Sequence, residues 1–137
     1  MLAHVPDINS FAARLAAVLK PEGTITMEFP HLMQLIQNSQ FDTIYHEHFY
    51  YLSLTAVQRI FQTHGLEIYD VELLETHGGS LRIYAAHRSY GMVRMEGSVS
   101  DLLAREKYRS QSRCKAVDVR DVGQHVVADD QVVLSIL

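Results

Sequence analysis

Tyr45, His46, Glu47 and His48 stand side by side in the stretch 41–51, FDTIYHEHFYY, the densest set of proton-carrying or metal-binding side chains in the sequence. In an extended segment Tyr45 and Glu47 would face one way and His46 and His48 the other. In a helical turn Tyr45 would approach His48. Either geometry leaves at least two polar groups converging. A hydrogen-bonded packing cluster is the rival reading of such an aromatic loop. A metal site is another: His46 and His48 alternate so that two imidazoles can reach one ion, with Glu47, His31 or His77 completing the shell. The spacing does not single out those further ligands. The lone cysteine, Cys114, excludes an internal disulfide and a multi-cysteine zinc site.

Composition narrows the classes of partner. The chain has 137 residues, of which 47% are hydrophobic and 20% charged, enough apolar content for one domain with its own core. A net charge of -4 and the lack of any lysine or arginine run argue against nucleic acid as a partner. No apolar stretch approaches the roughly 20 residues that cross a bilayer, so no membrane is expected. The first residues lack the basic and apolar regions of a signal peptide, and the expectation is a cytoplasmic protein.

The site stretch lies between elements that must position it. Residues 1–7 read as the end of a buried strand running into a helix entry. Asp7 and Asn9 offer caps for a helix from about Ser10 to Leu19 with Phe11, Leu15, Val18 and Leu19 on one face. Lys20-Pro21-Glu22-Gly23 stops it. Thr24 to Phe29 alternates and is rich in strand formers. A second helix is predicted over about His31 to Asn38, and Ser53 caps a third carrying Val57, Ile60 and Phe61, which His64-Gly65 closes. Two strands follow, Leu66 to Leu74 and Ser80 to Ala86, with Leu81, Ile83 and Ala85 as the buried stripe. The short glycine-containing link between them predicts an antiparallel hairpin. Helix and strand alternating in this rhythm indicate an α/β fold. In such sheets ligands lie beyond the carboxyl ends of the strands, where His4, Glu28 to His31 and the insertion carrying residues 45–48 all lead.

This order of elements resembles the second half of the class I, Rossmann-like, S-adenosylmethionine-dependent methyltransferase fold, whose mainly parallel sheet finishes with an antiparallel strand. The words LAHVPDINSF, LKPEGTITMEFPHL, QFDTIYHEHFYYLSL and ETHGGSLRIYAAH are similar to successive motifs of the sugar C-methyltransferases that act on nucleotide-linked deoxysugars. That resemblance runs from about Leu2 to His87. It implies residues 1–104 as the carboxyl-side part of a methyltransferase domain and 105–137 as a helical or irregular tail. It also implies that the first half of the fold, with the glycine-rich loop that holds the donor, is absent.

The resemblance further implies S-adenosylmethionine as cofactor and a nucleotide-linked keto-deoxysugar as partner. Methylating a sugar carbon requires a proton to be removed next to a keto group while the enolate oxygen is stabilised. On that reading His48 is the base and Glu47 orients it or holds a sugar hydroxyl. Tyr45 hydrogen-bonds the enolate oxygen, and His4 assists at the donor or the keto group. His46, His77 and Arg82 are candidates for substrate binding, Arg82 through a phosphate. No metal is required. An exposed sheet edge allows pairing with another chain, including a homo-oligomer. An inactive remnant of a methyltransferase remains the alternative account of the same chain.

Overall fold

The computed structural model describes residues 2–40, 44, 46–90, 95–113 and 134–135. The chain enters through a 3-10 turn, Leu2–His4, where a strand end is expected from sequence. Leu2 and Ala3 are both buried. An extended segment would send two consecutive side chains to opposite faces, whereas the tight turn lets both reach the interior.

Helix α1 (Ile8–Val18) begins at Asp7, whose carboxylate accepts the Ser10 backbone N–H at 3.0 Å and the Ser10 hydroxyl at 2.6 Å. The helix lays Ile8 and Ala12 on the core, with Phe11, Leu15 and Leu19 partly covered. Val18, assigned to that face by sequence, is 79% exposed instead, because it falls on the flank of the stripe in the last turn. Strand β1 (Ile25–Pro30) follows and alternates as predicted, with Ile25, Met27 and Phe29 inward. Helix α2 (Leu32–Gln37) is short, and the two-residue strand β2 (Tyr50–Tyr51) pairs antiparallel with β5 (Leu134–Ser135).

Helix α3 (Leu54–Thr63) starts at Ser53, whose hydroxyl accepts from the Ala56 N–H at 3.2 Å. It closes at Gly65, which adopts φ 74° and turns the chain into β3 (Leu66–Leu74). Strand β4 (Ser80–His87) returns antiparallel to β3, after a 3-10 turn at Thr76–Gly78. Strand β4 also pairs antiparallel with β1, so the sheet order is β1-β4-β3. The outer strands therefore run the same way, and α3 lies on the crossover between them. Helix α4 (Gly97–Arg113) completes the described body. It runs unbroken through residue 104, the limit assigned to the domain from sequence, and buries Val99 and Leu102 in the common core.

One face of the sheet carries that core. Leu66, Ile68, Leu81, Ile83 and Ala85 are fully covered, packed with Val57 and Phe61 of α3. The other face is polar. There Arg82 sits in register between Glu28 and Glu72 and donates to both at 3.1 Å. Among the described residues no helix is long and apolar enough to cross a membrane. Truncating the central residue Ile83 to Ala should lower unfolding free energy by about 2–5 kcal/mol, read as a reduced urea midpoint at unchanged slope.

Candidate functional site

The stretch from His46 to Leu52 is tied to the entry of the chain and to the end of β1. At its start, the Phe49 N–H donates to the Ala3 carbonyl at 2.8 Å, and the Tyr50 hydroxyl donates to the Pro6 carbonyl at 2.8 Å. At its end, Leu52 forms a parallel bridge with His31, and the Leu32 N–H donates to the Leu52 carbonyl at 3.0 Å. His31 directly follows Pro30, so the stretch runs past the carboxyl end of β1, where an open α/β sheet presents ligands.

Two imidazoles meet there. His48 is only 6% exposed, and its ring stands edge-on to His4, with centroids 4.7 Å apart, and to Tyr51 at 5.7 Å. His4 is exposed, and its Nδ1 lies 3.0 Å from the Glu47 backbone carbonyl. A carbonyl only accepts, so Nδ1–H donates, and in the neutral ring the lone pair is left on Nε2. The arrangement is a buried imidazole in contact with an exposed one of fixed tautomer. The pair sets a sheltered imidazole beside one that solvent reaches.

The other sequence candidates are distributed differently. Tyr45 lies outside the described residues. His46 and Glu47 form an exposed turn. Glu47 is exposed and holds His4 through its main-chain oxygen. His77 belongs to the 3-10 turn between β3 and β4, and its side chain is outside the described residues. Arg82 is paired on the polar face of the sheet, where its guanidinium donates to Glu28 and Glu72. The Glu28 hydrogen bond, with a further one to Tyr84, holds the arginine still more firmly in its charged form. His31 is drawn away from the mouth into the interior. No group of three His, Cys, Asp or Glu side chains able to hold a metal is found among the described residues, so the His46-x-His48 pair has no shell there.

Glu106 is the residue that sequence reasoning passed over. It is 5% exposed on α4, and each of its oxygens takes two donors. Oε1 accepts from His31 Nε2 and the Leu54 N–H, both at 2.8 Å. Oε2 accepts from the Thr55 N–H at 2.8 Å and the Thr55 hydroxyl at 2.6 Å. With Ser53 serving Ala56, the first N–H groups of α3 are accounted for. A signal existed: Val99, Leu102, Leu103 and Glu106 fall on one helical stripe, and an acidic residue at a core position asks for buried partners.

In sequence the chain is similar to the C-methyltransferase NovU of Streptomyces niveus. The two are 36% identical over 144 aligned residues, which cover 96% of this chain and 34% of that protein. The chain thus spans about a third of the relative's length. No protein-family profile matches it.

Burial opposes ionisation of Glu106, but the donors from His31, Thr55 and Leu54 outweigh it and hold its carboxyl below the ordinary glutamate value. A depressed folded value means that this contribution to stability is complete above the ordinary value and is lost as pH falls through the lower folded one. Thermal melts should therefore show an acid limb at and below the ordinary glutamate range, and Glu106→Gln should lower stability at neutral pH while flattening that limb.

Proposed function

Because the chain belongs to the sugar C-methyltransferase family, we propose that its described residues serve the acceptor side of a carbon methylation, removing a proton from a nucleotide-linked keto-deoxysugar. The contact of buried His48 with exposed, tautomer-fixed His4 carries this reading.

The chemistry asks for a carbanion equivalent. The carbon–hydrogen bond next to the keto group breaks, the proton passes to His48, and the electron pair moves onto the keto oxygen as an enolate. The low exposure of His48 keeps water from competing for the base, and exposed His4 beside it is assigned the passage of the proton to solvent. Tyr45 is assigned the hydrogen bond to the enolate oxygen and Glu47 a sugar hydroxyl, which its exposed carboxylate is free to reach. His46, exposed in the same turn, is assigned to the substrate as well.

S-adenosylmethionine, the donor this family implies, is held in such folds by a glycine-rich turn from a strand into a helix. The described residues do not fit it. Gly78 and Gly79 join two strands, and the space above them is filled: a Cβ on Gly78 would meet the Gln40 amide, and one on Gly79 the Gln34 Cβ at 2.7 Å. Gln40 further donates to the Gly78 carbonyl at 2.7 Å. Gly65 leads from a helix into a strand. The donor is therefore assigned to no described residue, and the reading is confined to the sugar and its proton.

Proton removal can be followed without any methyl donor. Incubated in heavy water with a nucleotide-linked keto-deoxysugar, the chain should exchange the hydrogen next to the keto group, observed by proton NMR. His48→Asn should slow that exchange by about 10²–10⁴-fold, the usual contribution of a positioned base. Exchange no faster than in buffer would favour the inactive-remnant account, and an unchanged rate in the variant would remove His48 as the base.

A further inference from the structure

The site stretch hands its backbone directly to the start of α3. Tyr51, which packs on the edge of His48, is buried with Leu32 and Leu35. Leu52 bridges His31, Ser53 caps the helix, and Leu54 and Thr55 present their N–H groups to Glu106. The same carboxylate takes the His31 ring nitrogen, and the His31 backbone N–H donates to the Gly79 carbonyl at 3.0 Å. Glu106 therefore ties two sides of one short segment. It fixes where α3 begins and, through His31, the end of β1 against which Leu52 lies.

We propose that Glu106 is a positioning residue for His48, setting the orientation of that ring from α4 through the Leu52–Thr55 backbone. This rests on the reading of His48 as the base. The physical ground is the count of donors. A carboxylate can accept all four groups at once, and nothing smaller or half-acceptor can. Glutamine offers one oxygen and turns an amide N–H toward two donors, so either Leu54 or Thr55 loses its partner and the helix start must shift. A shift there is transmitted over three residues to Tyr51 and hence to His48. The effect on the base differs from a general loss of stability, because α4 touches no residue of the 46–49 turn through Glu106.

The test is NMR of the 137-residue chain, following the His4 and His48 rings through a pH titration in Glu106→Gln, in Thr55→Val and in the control Ile25→Ala. Ile25 is a core residue at the opposite end of β1, so its truncation lowers stability without touching the clamp. Glu106→Gln and Thr55→Val should displace the His48 titration curve and weaken the ring-to-ring contact with His4, while Ile25→Ala lowers the melting temperature and leaves both as in the parent. In the hydrogen-exchange assay Glu106→Gln should lose on the order of 100-fold in rate, the scale of a remote misplacement of about an ångström, at unchanged KM. His48 and His4 signals that superimpose on the parent in both clamp variants would overturn the proposal. If Glu106→Gln does not fold, Thr55→Val, which removes one donor and keeps the carboxylate, decides in the same way. The ring signals answer even if the parent shows no exchange, so failure of the base assignment and failure of the positioning role read differently.

Discussion

A buried carboxylate with four donors is the constraint on which the described structure turns. A charged oxygen pair shut away from water is tolerated only when its lone pairs are met, and Glu106 meets them with two backbone N–H groups, a hydroxyl and an imidazole. The same bonds satisfy the buried start of α3, whose first N–H groups would otherwise be orphaned at about 1–3 kcal/mol each. One side chain therefore joins α4, the start of α3 and the end of β1. Its Coulombic part complements the positive end of the α3 dipole.

From this joint the site follows by short steps. Leu52 and His31 lie together because the chain must pass the end of β1 to reach α3, and that passage brings His48 and Tyr51 against the turn at Leu2–His4. The hydrophobic sheet face beneath, built from β1, β3 and β4, supplies the stability that lets an aromatic, histidine-bearing segment hold a fixed place. The polar face carries the Glu28–Arg82–Glu72 row, which cross-links three strands in register. Its charges are half-exposed, so it contributes little to stability, but it occupies the arginine that sequence had offered to a phosphate.

Local patterns were legible and distant partnerships were not. Alternation located β1, β3 and β4 to within a residue, and Ser53 and Gly65 marked the ends of α3, because strand pleat and helix capping are decided by near neighbours. The YHEHF word drew attention to the segment whose His48 meets His4 of the opening turn. The opening Leu2-Ala3-His4 misled, since a short apolar run reads equally as strand or tight turn until its burial is known. Glu106 escaped because its partners lie 51 to 75 residues away in sequence, and only its place on the Val99–Leu102 stripe hinted at burial. Arg82 likewise reads as a free cation until register sets Glu28 and Glu72 beside it.

The most direct test of the account is where a nucleotide-linked keto-deoxysugar touches the chain. Titrated into isotope-labelled protein, it should perturb the side-chain NMR signals of His4, His48 and Tyr51 together, and leave Arg82 and Tyr84 on the polar sheet face unmoved. Perturbations confined to that face, or none at saturating sugar, would contradict an acceptor site at the His4–His48 pair.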